Sequence, residues 1–147
     1  MKDLKKTVKY YQDASDKGNS YASFLLGTMY MRGEQGEIQK KKFVKKKLIK
    51  KKTVKKDMKK AMELFEKSAS LGNHYAMNFL GSLYIDAEYV EKDLKKGLFY
   101  YEKSASSGDN TAMNYLAIIY WKGQHLPQDK KKAFQYFQDS AEHGKIK

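Results

Sequence analysis

The side chains of this 147-residue chain that could do acid, base or metal chemistry are three imidazoles, His74, His125 and His143, and carboxylates such as Glu63, Glu66 and Glu102. No histidine has another three or four residues away, the spacing that sets two ligands on one helix face, and none stands beside an evident nucleophile. The periodicity described below turns Glu63, Glu66 and Glu102 outward to solvent. Cysteine is absent, which removes disulfides, thiolate metal sites and thiol nucleophiles together. The sequence offers no catalytic residue, no metal ligand and no cofactor site, so the expectation is a protein that is not an enzyme and acts through its surface.

Those surfaces are charged unevenly. Lysine and arginine number 30 against 17 acidic residues, a net charge of +13. Residues 40–60 alone hold 13 lysines and one aspartate, or +12, leaving +1 on everything else. One reading of Lys41, Lys42, Lys45, Lys46, Lys47, Lys50, Lys51 and Lys52 is an anion-binding arm for nucleic acid, acidic protein or an anionic membrane surface. A tolerated expansion in a surface loop and a localisation signal stay open beside that reading. Base-specific readout is disfavoured, because Arg32 is the single arginine and lysine lacks the planar fork that grips guanine edges.

The rest of the chain repeats. A segment beginning Asp57-Met58-Lys59-Lys60 recurs at Asp93-Leu94-Lys95-Lys96, 36 residues on, and again at Asp129; an N-terminal copy begins at Asp3. A glycine follows each aspartate by 15 residues, at Gly18, Gly72, Gly108 and Gly144, and an alanine by 19 at Ala22, Ala76 and Ala112. Each unit reads as two helices. The aspartate suits an N-cap, and the glycine supplies a left-handed stop to the first helix. Met62, Leu64, Phe65 and Ala69 line one face of a first helix, as do Leu98, Tyr100, Tyr101 and Ala105. Ala76, Phe79, Leu80, Leu83 and Tyr84 line a second helix, with Gly27, Gly81 and Ala117 as small residues that let neighbours approach closely. A helix pair cannot bury such faces alone, and roughly three stacked pairs are needed.

The expected fold is all-α: a right-handed α/α superhelical solenoid of helix-turn-helix repeats. It has full units at 3–33, 57–87 and 93–123, a final single helix at 129–144, and the lysine-rich insertion at about 37–54 between the first two units. No apolar run approaches the roughly 18 residues of a membrane span, and the N-terminus MKDLKKTVKYY has no signal-peptide stretch, so an intracellular, cytoplasmic location is expected.

The 36-residue period, the Ala76-to-Gly81 step and the Gly123, Pro127, Asp129 link resemble Sel1-like repeats more than the 34-residue tetratricopeptide repeat. That resemblance implies a non-catalytic adaptor whose concave surface binds other proteins. The cysteine-rich branch of the family, described as β-lactamases, carries two cysteines in each repeat. The comparable positions here are Ala69 with Met77 and Ala105 with Met113, so no enzyme assignment carries over from that branch.

Partner-binding residues follow from departures within the repeat. Most of the 12 tyrosines and 7 phenylalanines sit at core positions. Phe99, however, stands where the other units have Lys9, Glu63 and Gln135, and it is a candidate partner contact, with packing under a long neighbouring side chain as the alternative. Lys59, Lys60, Lys95 and Lys96 belong to a repeated basic edge that also includes Lys5, Lys6, Lys131 and Lys132, so a protein or peptide bound there should be acidic. Self-association through Phe134, Tyr136 and Phe137 of the last helix, or continuation in a longer array, is a further expectation, the alternative being that Gln135, Gln138, Asp139 and Glu142 face outward and the helix is itself the cap.

Overall fold

The computed structural model describes residues 4–33 and 57–146. Among them are seven helices and no strand: α1 (Leu4–Asp16), α2 (Ser20–Arg32), α3 (Met58–Ser70), α4 (His74–Asp86), α5 (Leu94–Ser106), α6 (Asn110–Lys122) and α7 (Lys130–Ile146). Helices α1, α3, α5 and α7 are the first helices of their units; α2, α4 and α6 are the second. Asp3 and the lysine-rich insertion lie outside the described residues. The chain divides into two compact units, Met1–Ala76 and Met77–Lys147.

Short-range hydrogen bonding explains why the helices begin and end where they do. The carboxylates of Asp57, Asp93 and Asp129 accept from the amides of Lys60, Lys96 and Lys132 at 3.0, 3.1 and 3.0 Å, satisfying donors that a helix start leaves unpaired. Gly18, Gly72 and Gly108 take φ near +90°, as the left-handed stop requires. The residue after each sends its amide back five residues, from Asn19 to Ala14, Asn73 to Ser68 and Asp109 to Ser104. The same three side chains then cap the second helices, accepting from Ala22, Ala76 and Ala112 at 2.9, 3.0 and 2.9 Å. One residue thus closes a helix with its backbone and opens the next with its side chain.

The fourth copy corrects the sequence reading. Gly144 is not a left-handed stop, because α7 continues through it to Ile146. The position after the glycine is Asn19, Asn73 or Asp109 in the other units and Lys145 here, so no acceptor is present to cap a following helix. Without that cap, continuing the helix keeps backbone hydrogen bonds that a turn would forfeit, against roughly 1 kcal/mol for a helical glycine.

In the first unit, Leu26, Ala61, Phe65 and Ala69 are buried where α2 meets α3. In the second, Ile85, Tyr101, Ala105, Ala112, Met113 and Leu116 form the core, with Leu94, Leu98, Ile119 and Tyr136 packed against it. Close approach depends on the small residues. A Cβ on Gly27 would lie 2.7 Å from the Phe65 ring, and one on Gly81 2.8 Å from the Tyr101 ring. A Cβ on Gly97 would lie 2.9 Å from the Gly81 carbonyl oxygen, so there α4 and α5 touch backbone to backbone.

Candidate partner-binding surface

The joint between successive repeats is built the same way three times. The amides of Asp57, Asp93 and Asp129 donate to the carbonyls of Tyr30, Tyr84 and Tyr120 at 3.2, 3.0 and 2.9 Å. Three residues later the capped helix presents a lysine over the same tyrosine: Lys60 over Tyr30 at 4.6 Å, Lys96 over Tyr84 at 4.8 Å and Lys132 over Tyr120 at 4.6 Å. An ammonium over a tyrosine face is attracted by the ring quadrupole. The Tyr120 hydroxyl hydrogen-bonds Lys132 and raises its pKa.

This geometry divides the expected basic edge. Lys60 and Lys96 are half-buried and seated on rings, whereas Lys59, Lys95 and Lys131 are exposed to solvent. Within the second unit, Tyr84 stacks on Tyr100 at 6.3 Å and Tyr120 on Tyr136 at 6.1 Å. Burial is the first cause of the raised Tyr136 pKa, and the charge of Glu102 the second.

Phe99 is 55% exposed on α5. Its ring meets Tyr100 edge-on at 5.4 Å, and the Lys103 ammonium lies 5.9 Å from its centre. Contact with a long side chain and exposure to solvent therefore coexist at this residue. Lys95, Lys96 and Lys103 stand four before, three before and four after Phe99, the spacings that share a helix face.

The residues considered for chemistry are dispersed. Glu63 and Glu102 are exposed and Glu66 is half-buried. His125 places Nδ1 3.3 Å from Lys92 Nζ, and His143 Nδ1 is 2.9 Å from the Asp139 carbonyl oxygen. Among the described residues no group of three histidines or carboxylates is placed to hold a metal ion. Ala69, Met77, Ala105 and Met113, at the positions compared with cysteines, are all buried and apolar.

Two features escaped sequence reasoning. Ser15, Ser23, Ser68 and Ser104 are fully buried; Ser68 Oγ donates to the Ser20 carbonyl at 2.6 Å, and Lys67 Nζ to that of Ser15 at 2.7 Å. The recurrence of Ser68 and Ser104 at one repeat position was the available signal. On the first unit, the rings of Tyr21, Phe24 and Tyr75 cluster with centroids 6.2 to 6.5 Å apart, with Tyr21 and Tyr75 exposed rather than in the core. On α7, Phe134 and Phe137 are exposed while Tyr136 is half-buried.

The Sel1 repeat family model matches residues 1–19, 20–42, 51–73, 74–109 and 110–145. Among solved structures the chain is similar to c5321, a protective antigen of uropathogenic Escherichia coli displaying an SLR fold (TM-score 0.73, 25% identity, 93% of this chain); it spans 26% of that protein's length. It is similar also to a Sel1 repeat protein from Oxalobacter formigenes (TM-score 0.68, 22% identity, 92% of this chain and 89% of that one). Helicobacter pylori cysteine rich protein B is a third (TM-score 0.60, 21% identity, 96% of this chain and 88% of that one). The last two likenesses are of fold alone, that of the Sel1-repeat solenoid. No curated protein matches the chain.

Proposed function

The chain belongs to the Sel1 repeat family, and from that premise we propose that it is a non-catalytic adaptor binding a protein or peptide on its concave first-helix surface. Sel1 repeats are generally protein-protein interaction modules and non-catalytic scaffolds. Among the described residues no helix is long and apolar enough to cross a membrane. The single observation that carries the choice of surface is Phe99, a half-exposed aromatic at a repeat position that is polar in the other units. Large aromatics of this kind are the usual anchors of binding energy. Lys59, Lys60, Lys95 and Lys96 supply positive charge on first helices, which favours an acidic partner.

The second reading rests on the +12 charge of residues 40–60, which suits non-specific binding of nucleic acid or anionic lipid. A random peptide library and a mixed-sequence oligonucleotide, each offered to the full chain, to Phe99→Ser and to a chain lacking residues 40–52, separate the two. Peptides selected by the full chain and lost with Phe99→Ser support the adaptor. Oligonucleotide binding abolished by the deletion, with a salt slope near minus nine if about ten lysines engage phosphates, supports the second reading. Selected peptides that bind Phe99→Ser as well as the full chain overturn the choice of surface.

A further inference from the structure

The second unit holds a cavity of about 180 Å³ whose lining does not include Phe99. Its floor is Ile85 of α4 and Tyr101 of α5, 5% and 4% exposed, and its walls are Tyr115, Ile118 and Ile119 of α6. The Tyr101 and Tyr115 rings stand 5.2 Å apart, while Tyr115 and Ile118 are also open to solvent. Asp86 and Lys122, the last residues of α4 and α6, line the same cavity and are both exposed. Pockets for cofactor-sized molecules run to about 300–1,000 Å³, so this one suits a single side chain.

Two of the lining residues break the repeat. Ile118 stands where the preceding units have Thr28 and Ser82, and Asp86 stands where the other units have Arg32 and Lys122. A basic residue at that position complements the negative end of its helix, whereas the Asp86 carboxylate opposes it. Asp86 accepts from Ser82 Oγ at 2.8 Å, and its two oxygens have room for further donors. Among the described residues neither Asp86 nor Lys122 is in an ion pair. His125, which also lines the cavity, has Lys92 Nζ 3.3 Å from its Nδ1, so a second ammonium stands nearby.

We infer that this cavity is a second peptide site, separate from the Phe99 surface, and that it takes one aliphatic side chain of an extended partner segment, flanked by a basic residue on one side and an acidic residue on the other. The aliphatic side chain enters between Tyr115 and Ile118, over Ile85 and Tyr101. The basic neighbour meets Asp86 and the acidic neighbour meets Lys122, a complementarity that sets the register and disfavours segments of one sign. A polyanion such as nucleic acid meets the Asp86 carboxylate at the mouth, which counts against it as the occupant.

The test uses the full chain and fluorescence anisotropy with two labelled peptides, one with a Lys-Leu-Glu core and one with Glu-Leu-Lys, each between glycine-serine flanks. The order that binds more tightly is then compared with forms carrying Gln for Lys, Gln for Glu or Ser for Leu. Ser for Leu should lose about tenfold in affinity. Ile118→Ser, which matches what Ser82 supplies one repeat earlier, should lose about as much while thermal melts show the fold intact. Asp86→Asn, which still accepts from Ser82, should weaken the peptide with Lys about threefold and leave the peptide with Gln in its place unchanged. Lys122→Gln should act in the same way toward Glu, and Phe99→Ser should bind every peptide like the wild type. The inference is overturned if neither peptide binds, if Ile118→Ser binds like the wild type, if the two charge variants weaken all peptides equally, or if free leucine displaces the peptide at equal concentration. Loss of binding in Phe99→Ser beside an unaffected Ile118→Ser also overturns it, and that result supports the first-helix surface instead.

Discussion

Alanine for glycine inside a helix ordinarily stabilises it by about 1 kcal/mol, yet Gly97→Ala should destabilise this protein. The added Cβ would lie 2.5 Å from Ile85 Cγ1 and 2.9 Å from the Gly81 carbonyl oxygen. The isoleucine tip can rotate, but the carbonyl belongs to the backbone of α4, so the two helices must part by a few tenths of an ångström. Ile85 and Tyr101, 5% and 4% exposed, are packed in that same contact region and lose fit as it opens. Overpacking of this kind costs about 1–3 kcal/mol, which offsets the propensity gain of about 1 kcal/mol and leaves a net loss of up to about 2 kcal/mol. The melting temperature should fall by up to about 8 °C. Gly144→Ala is the matched control. That glycine is also helical, and its nearest neighbour to an added Cβ is Asn110 Nδ2 at 4.0 Å, so the same change should stabilise by up to about 1 kcal/mol. Thermal and urea melts followed by circular dichroism read both. A Gly97→Ala variant as stable as wild type would refute the claim that α4 and α5 meet backbone to backbone.

Three further outcomes are expected. Ala87 holds φ +54° without being glycine, so Ala87→Gly should relieve about 1–2 kcal/mol of strain against about 0.5–1 kcal/mol of unfolded-chain entropy, a net gain near 0.5–1 kcal/mol in urea melts. Removing the cap acceptor with Asp93→Ala should cost about 1 kcal/mol, whereas Asp93→Asn should cost less because the amide oxygen still accepts from Lys96; parallel melts of the two variants check this. If the exposed rings of α7 mediate self-association, sedimentation at tens of micromolar will show oligomers that Phe134→Ser with Phe137→Ser abolishes without loss of helix.

What the sequence made legible was governed by short-range rules. Asp57, Asp93 and Asp129 act on amides three residues away, and Gly18, Gly72 and Gly108 bend their own backbone, so a fixed spacing announces each of them. Gly144 misled because its role depends on the acceptor at the next position, and Lys145 is not one. The small residues Gly27 and Gly81 were recognisable, although the rings that press on them, Phe65 and Tyr101, lie in the following repeat. At the candidate site, the exposure of Phe99 was legible because its counterparts are polar. The split between Lys95 and Lys96 was not, since a paired Lys-Lys looks uniform until the preceding helix places a tyrosine under the second member. The constant offset from Tyr84 to Lys96 and from Tyr120 to Lys132 was the trace of it. The aromatic cluster of Tyr21, Phe24 and Tyr75 depends on which side of a helix its neighbour leaves uncovered, which the repeat spacing does not announce.

The central claim is the location of the binding surface, and backbone amide shifts of the full chain titrated with a library-selected peptide test it most directly. The largest changes are expected to cluster on α5 and α7 around Lys95, Phe99, Lys103 and Lys131, and Phe99→Ser should weaken binding by about 2 kcal/mol, roughly thirtyfold. Changes confined to the second helices or to residues 40–52, with Phe99→Ser binding as wild type, would contradict it.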